Sequence, residues 1–505
     1  MKLKNTYITR RGFFGGKLSV AGCCLSMIIF CAIFLFPNCS RRSQRANGTT
    51  LSVFPDYSGA AIPVNIAPLN FYIHYGAHKY RVSFAMGKDS FSVVCRNEVA
   101  IPSRKWKKLL LGHAGENLHI AIYARENKNW EKIENKTLYV APEPVDPYIV
   151  YRLIEPGYQY WGKMGIYQRC IENFDEIPVM INTLTDENCM NCHSFCKNDP
   201  DKMLFHMRAQ HAGTLFVNNG KIEKMNMKVD GNISAAVYPR WHPEGRYVAF
   251  SVNKTSQLFH AVDENLIEVY DAASDLIIYD TETQIISSGA LIHSTNNFET
   301  FPEWSPDGKW LYFCSAPAQE MPDGYDSLRY NLFRIGFDAQ TGKTGNRIDT
   351  VLMASLLGKS AAFPRISPDG KYLMLCLSGY GTFPIWHKDN DLYLLNLETR
   401  ELAKMNSLNS RESDSYHSWS SNGRWVVFGS RRLDGLYTRP FIAYFDNSGK
   451  AHPPFLLPQK NPLLYDQLIK SFNIPEFITG KIKPGLRTME RVAKEPAINA
   501  KSQQK

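Results

Sequence analysis

Two cysteines and one histidine at close spacing are the residues of this 505-residue chain with the clearest chemical potential. They are Cys189, Cys192 and His193, in the order Cys-x-x-Cys-His. Two thiols three positions apart can each form a thioether with a vinyl group of one haem, and a histidine directly after the second thiol can ligate the iron. The pattern therefore predicts one covalent haem c, attached through Cys189 and Cys192, with His193 as the proximal iron ligand.

The same residues have three other interpretations. The cysteine pair can be a redox couple or a structural disulfide. Together with Cys196 it can form part of a zinc site, although adjacent ligands are awkward for a tetrahedral ion and no second Cys-x-x-Cys follows. The sequence leaves these alternatives open.

The second axial position of such a haem needs another donor. His206 and His211 follow the motif closely, and a histidine would lower the haem potential where a methionine would raise it. We expect His211 or His206 to be the distal iron ligand. The competing interpretation of each histidine is an ordinary surface residue.

The N-terminus predicts a membrane segment. Residues 1–45 hold eight basic and no acidic residues, and the run 18–36 is apolar and uncharged. Nineteen residues at about 1.5 Å each can just cross a bilayer core of about 30 Å. We expect an uncleaved anchor with the body of the protein in the periplasm or cell envelope. Lipidation of Cys39 or Cys23, or a twin-arginine signal at Arg10 and Arg11, would give the same location.

The charge distribution argues against nucleic acid as a partner. The chain is formally +10, but the basic residues concentrate in 1–45 and in 480–505, where seven basic residues face two acidic ones. The remaining chain has no basic excess, and a nucleic-acid-binding domain would need a basic stripe on its folded surface.

Hydrophobic periodicity divides the chain further. After a linker at 46–60, residues 61–147 alternate apolar and polar side chains, which predicts a small β-sandwich-like domain. Three closely spaced prolines between 142 and 147 mark its end. Residues 148–204 are rich in aromatic side chains and contain the Cys-x-x-Cys-His motif, and we expect them to form the haem module.

Repeats determine the predicted architecture of the second half. Four segments share an aromatic residue, a turn with glycine, and an alternating strand. Their glycines, Gly245, Gly308, Gly370 and Gly423, are 63, 62 and 53 residues apart. Proline presets such a turn and glycine takes the left-handed position. Four-stranded units of this period stack into a β-propeller, which we place at 205–457 with five or six blades, before a helical basic tail at 458–505.

The repeat, typified by Phe301-Pro302-Glu303-Trp304-Ser305-Pro306-Asp307-Gly308, resembles the PD40 (WD40-like) repeat of TolB-type propellers. The resemblance covers about half of the chain and implies a propeller fold and a location in the cell envelope. The last copy departs from it, with Ser421-Asn422 in place of Pro-Asp, and the turn survives this change.

Taken together, the sequence predicts a membrane-anchored, mainly β protein that carries one haem c for electron transfer or redox sensing, with a redox partner in the envelope. The alternative is a TolB-like propeller that binds an envelope protein or a polysaccharide, in which Cys-x-x-Cys-His is a disulfide or a structural site. Hydrolase, kinase and metalloprotease motifs are missing from the sequence, which leaves enzymatic activity uncertain and disfavoured.

Overall fold

The computed structural model describes residues 51–155 and 162–502. The predicted anchor at 18–36 lies outside the described residues. Within the described residues, no helix combines the length and the apolar character needed to cross a membrane.

The N-terminal region is built from two sheets and one helix. The elements are β1 (Ser52–Phe54), β2 (Ala61–Pro63), β3 (Phe71–His74), β4 (Tyr80–Met86), β5 (Asp89–Cys95), β6 (Glu98–Val99), α1 (Ser103–Leu111), β7 (Asn117–Glu126) and β8 (Asn129–Ala141). A five-stranded sheet has the order β2-β8-β7-β4-β5, and a three-stranded sheet has the order β1-β3-β6. Helix α1 buries Trp106, whose ring meets the ring of Phe84 on β4 edge-on at 6.1 Å. Strand β4 alternates buried and half-buried residues, as the period-two pattern predicts.

The following chain forms a series of antiparallel sheets in sequence order. Its strands are β9 (Tyr148–Ile154), β10 (Gly165–Cys170), β11 (Glu176–Ile181), β12 (Met190–Cys196), β13 (Asp199–Met207), β14 (Gly213–Asn218), β15 (Lys221–Asn226), β16 (Ala236–Trp241), β17 (Tyr247–Phe259), β18 (Ile267–Asp280), β19 (Ile285–Ser287), β20 (Asn297–Trp304), β21 (Trp310–Pro317), β22 (Asn331–Asp338), β23 (Lys343–Leu352), β24 (Ser360–Ile366), β25 (Tyr372–Ser378), β26 (Asp391–Asn396), β27 (Leu402–Lys404), β28 (Asp414–Trp419), β29 (Trp425–Ser430), β30 (Arg439–Tyr444) and β31 (Phe455–Leu456). The C-terminal elements are α2 (Leu464–Gln467), β32 (Ser471–Ile478), α3 (Leu486–Lys494), β33 (Ile498–Asn499) and β34 (Lys501–Ser502).

These strands form six sheets around a central channel. Five of the sheets begin at β12, β16, β20, β24 and β28, and the sixth has the order β11-β10-β9-β32. The inner strands β12, β16, β20, β24, β28 and β32 contact one another in a closed ring. This is a propeller-type fold, and the prediction of a mainly β chain with such a fold is confirmed.

The turns and the tryptophans of the repeat explain this geometry. Gly308 has φ +73, which glycine adopts without strain, and Asp307 accepts a hydrogen bond from the amide of Lys309. The indole of Trp304 donates to the carbonyl of Arg240 on the preceding inner strand at 3.0 Å. Equivalent bonds run from Trp241 to Ser194 and from Trp419 to Arg365. Three of the four repeats thus tie one sheet to the sheet before it, and the repeat with Ile366 lacks this donor.

Two features differ from the predicted organisation. Residues 148–204 form no separate module, because their strands β9 to β12 belong to the sheets of the ring. Strand β13 also continues across the expected boundary at 204. The prediction of a helical tail is wrong at Ser471–Ile478, which is the strand β32 that completes the sheet of β9. The tail then adds β33 and β34 in parallel to the outer strands β15 and β19.

Candidate functional site in the central channel

The Cys-x-x-Cys-His motif lies on the inner wall of the propeller channel. Cys192 and His193 sit at an irregularity of β12, where the pairing with β13 shifts register between Asn191 and Ser194. Cys192 has φ +53. Each inner strand has one residue of similar φ, followed by proline or histidine. The six pairs are Cys192-His193, Tyr238-Pro239, Phe301-Pro302, Phe363-Pro364, Tyr416-His417 and Ile474-Pro475.

These six pairs form the waist of the channel. The positive-φ residue of every pair lines a cavity of about 30 Å³, which has room for one or two waters. The rings of Tyr238, Phe301 and Phe363 lie next to one another, with centroids 4.7 Å and 4.6 Å apart. The aromatic side chains therefore nearly close the channel at the level of Cys192.

His193 is buried in this waist without a well-formed hydrogen bond. Only 1% of the residue is exposed, and neither ring nitrogen makes a hydrogen bond of good geometry, although the Ile474 backbone forms a weak one that acts to raise the pKa of the ring. Burial lowers the pKa of His193 to about 4, so the imidazole is neutral at pH 7. The equivalent His417 differs, because one of its nitrogens lies 2.8 Å from the carbonyl oxygen of Met374.

Cys189 faces a different and wider space. It lines a cavity of about 460 Å³ at one end of the channel, which we call the arginine mouth after Arg152, Arg208 and Arg431 in its wall. Trp386 lies in the same wall. The two cysteines of the motif thus border separate parts of the channel.

The residues of the motif do not fit a porphyrin as they are folded. A ring bonded to both cysteines and ligated by His193 would have to occupy the waist, and 30 Å³ is far below the several hundred Å³ of a cofactor site. The two cysteines form no disulfide with each other, and burial raises the pKa of Cys192. Across the described residues no cluster of three or more His, Cys, Asp or Glu side chains could hold a metal ion, so zinc gains no support.

The two expected distal ligands lie elsewhere. His206 is buried on β13, where its Nδ1 lies 3.2 Å from the hydroxyl of Thr214, and burial lowers its pKa to about 3. His211 pairs with Asp186 at 2.7 Å near the surface. Neither is among the described residues that line the waist or the arginine mouth.

The opposite end of the channel carries a ring of charges. Arg240, Glu303, Arg365 and Glu476 come from four inner strands, and the nitrogens of each arginine lie 3.1–4.0 Å from oxygens of both glutamates. These residues line a cavity of about 420 Å³ together with Trp241 and other aromatic side chains. Because each charge has an opposite partner, this ring stabilises the junction of the sheets.

Sequence reasoning did not find the arginine mouth. Arg152 lies on β9, Arg208 follows β13 and Arg431 follows β29, so the three come together only when the ring closes. No spacing along the chain marks them. The signal that could have been noticed is that Arg152 and Arg208 lie in the segments flanking the Cys-x-x-Cys-His motif.

Comparison with known proteins adds little to this description. No family model matches the chain. A dipeptidyl-peptidase 5 of Porphyromonas endodontalis is 29% identical over 93 residues, which are 18% of this chain and 11% of that protein. The chain therefore spans about one ninth of the curated relative that it matches.

Two solved structures illustrate the structural similarity. A puromycin-hydrolyzing peptidase of Mycobacterium tuberculosis has 11% identity and a TM-score of 0.36, over 69% of this chain and 52% of that one. The periplasmic gluconolactonase of Pseudomonas aeruginosa has 13% identity and a TM-score of 0.30, over 62% and 97%. Similarity at this level carries no argument about activity, and the assignment of the fold rests on the closed ring of strands.

Proposed function

We propose that this chain is a ligand-binding propeller of the TolB-like, PD40-repeat type, in which Cys-x-x-Cys-His forms part of the channel wall. The observation that supports this is the equivalence of Cys192-His193 with the corresponding pairs of the other five inner strands. A residue of positive φ followed by proline or histidine occurs at this point in every inner strand. The propeller repeat therefore accounts for the placement of Cys192-His193, although not for Cys189.

The similarity between two of the repeats supports this interpretation. Cys192-His193-Ser194-Phe195 and Tyr416-His417-Ser418-Trp419 share histidine, serine and an aromatic residue at successive positions. The second segment contains no cysteine, so its histidine and serine serve the propeller wall without any haem chemistry. The same role is sufficient for His193 and Ser194.

The ligand of such a propeller would enter at a mouth of the channel. Both mouths hold cavities of several hundred Å³, in the range of small-molecule sites. The basic flank and apolar run at 18–36 support attachment to the membrane with the propeller in the cell envelope, where a protein or glycan would be the partner. Each mouth is a candidate contact surface for it.

A covalent haem is the second candidate, and one observation favours it. His193 has two buried ring nitrogens without a well-formed hydrogen bond, which is costly unless a ligand binds there. Cys189, Cys192 and His193 would hold a haem, which would supply one-electron redox chemistry. The waist would have to open by displacing Tyr238 or its neighbours.

A haem stain after denaturing electrophoresis separates the two candidates. The full-length chain is co-expressed with a c-type haem maturation system, beside Cys192→Ala and the control Cys170→Ala, whose cysteine lies outside the channel motif. The proposal predicts no stain in any of the three, with a known c-type cytochrome positive in the same cells. A stain in the wild type and in Cys170→Ala that disappears in Cys192→Ala would establish the haem candidate instead.

A further inference from the structure

We propose that the arginine mouth is a binding site for a small anionic ligand, one that carries carboxylate or phosphate groups. This inference rests on the proposed function, since it names the class of ligand that the propeller would bind. Guanidinium groups match the oxygens of carboxylates and phosphates in two-point hydrogen bonds.

Arg431 is a buried cation without a matching anion. The residue is 6% exposed, and its guanidinium lies 3.6 Å from the ring centroid of Trp386. Its Nε is buried and has no hydrogen-bond partner. Burial lowers the pKa of Arg431 to about 9, and the carboxylates of Asp434 and Glu412 act in the opposite direction without forming an ion pair within 4 Å. The group remains a cation at pH 7 in an environment that disfavours its charge.

Arg152 is the second buried cation of the mouth. It is 8% exposed and donates from Nη1 to the carbonyl of Met190 at 3.3 Å, while its Nε has no partner. Arg208, which is exposed, adds a third positive charge to the same wall. In the part of the chain that the structure describes, none of these three arginines forms an ion pair.

Other arginines of the ring have acceptors for their guanidinium groups. The half-buried Arg240 and Arg365 face Glu303 and Glu476 across the opposite mouth. Arg439 is 1% exposed and its Nε is also unpartnered, but its other nitrogens donate to the backbone carbonyls of Tyr465, Leu468 and Lys470. Because an unpaired buried charge is costly, the guanidinium of Arg431, which has no such acceptors among the described residues, together with Arg152 in the same wall favours an anion from outside.

The rest of the mouth gives space and contacts for the body of a ligand. The cavity of about 460 Å³ has Tyr238, Phe383 and Trp386 in its wall, together with the polar side chains of Gln257 and Asn473. Glu155 is the carboxylate among the described residues of the wall. Three positive charges against one negative charge leave a net attraction for anions, and the aromatic rings can cover an apolar part of the ligand.

Calorimetry with two simple anions tests the site. Citrate and inorganic phosphate are titrated separately into the full-length chain in detergent, at constant ionic strength, so that the two arms distinguish carboxylate from phosphate recognition. We expect at least one to bind, and binding to be roughly tenfold weaker or more in Arg431→Gln and in Arg152→Gln. Arg347→Gln, which removes an arginine exposed at 85% of its side chain, is the matched control and should bind like wild type.

Arg208→Gln keeps the test decisive if a buried variant fails to fold, because Arg208 is exposed. Its binding should also be weaker than that of the wild type. Absence of binding by both anions, or equal binding in the wild type and in folded Arg208→Gln and Arg431→Gln, would overturn the anion site. That failure is separate from failure of the proposed function, which is decided by the haem stain.

Discussion

Replacing His193 by proline should stabilise this protein. Four of the six equivalent positions already hold proline, each after a residue of positive φ, so the backbone of this site accepts it: Pro239, Pro302, Pro364 and Pro475. The substitution removes an imidazole whose two buried nitrogens make no well-formed hydrogen bond. His193→Pro therefore exchanges an unsatisfied polar group for the residue that the repeat favours.

The magnitude follows from three contributions. Leaving a buried polar group without a partner costs about 1–3 kcal/mol, and a compatible proline adds about 0.4–1 kcal/mol by restricting the unfolded chain. Against these, the smaller ring loses packing worth about 1 kcal/mol. We expect the free energy of unfolding at pH 7 to rise by about 1 kcal/mol in the variant.

The pH dependence gives the prediction a second part. The pKa of His193 is about 4 in the folded chain and ordinarily 6.5, so between these values the unfolded state binds the proton more readily. Wild-type stability therefore falls as the pH falls through this window, by about 1.4 kcal/mol per pH unit from this group alone. The advantage of His193→Pro should grow to about 4 kcal/mol near pH 4.

Urea unfolding at pH 7 and at pH 4.5, followed by tryptophan fluorescence, measures both parts. His417→Pro is the matched control: it occupies the equivalent position, but its ring nitrogen lies 2.8 Å from the Met374 carbonyl oxygen, so it should gain no stability at pH 7. A loss of several kcal/mol in His193→Pro at pH 7 would refute the reasoning. It would mean that His193 has a partner, as an iron ligand would.

Two further predictions concern the frame of the propeller. Burial and the adjacent Asp275 raise the pKa of Glu299 to about 8, above its ordinary 4.5, so wild-type stability should decline as pH rises through that interval. Glu299→Gln imitates the protonated form, so the free energy of unfolding of this variant, measured with urea, should decline by a few kcal/mol less between pH 5 and 8 than that of the wild type. An equal pH dependence in the variant and the wild type would contradict this. Arg439→Met leaves the carbonyls of Tyr465, Leu468 and Lys470 without their donor and should lower the free energy of unfolding by about 3 kcal/mol. The variant should also be cleaved faster by protease next to β32. Equal protection from protease in the variant and the wild type would count against this role for Arg439.

The sequence predicts the propeller well where its signals are local. The turn at Gly308 and the alternating strand after it lie within a dozen residues, so their pattern identifies one sheet of the ring. The sixth sheet has no such signal, because its inner strand β32 pairs with β9, with Ser471 opposite Ile154. A sheet completed by a segment this distant leaves no repeat to recognise, and the local pattern of the tail predicts a helix instead.

The candidate site shows the same division. Cys189, Cys192 and His193 stand out because they are adjacent in sequence, yet Cys192 and His193 occupy positions that Tyr416 and His417 fill elsewhere in the ring. A five-residue motif carries no information about which wall its side chains face. The arginine mouth is the opposite case, since Arg152 and Arg431 gain their significance from burial and from the absence of a partner, which only the folded ring defines.

The central claim is that Cys189 and Cys192 are free thiols in the wall of a binding channel. The most direct measurement starts from the full-length chain expressed in cells with a c-type haem attachment system. The chain is denatured and treated with an alkylating reagent without reduction, its intact mass is measured, and the labelled peptide is then mapped. The account predicts a label on both Cys189 and Cys192 and no added cofactor mass. A peptide that carries the mass of one haem, or an unlabelled pair joined as a disulfide, would contradict it.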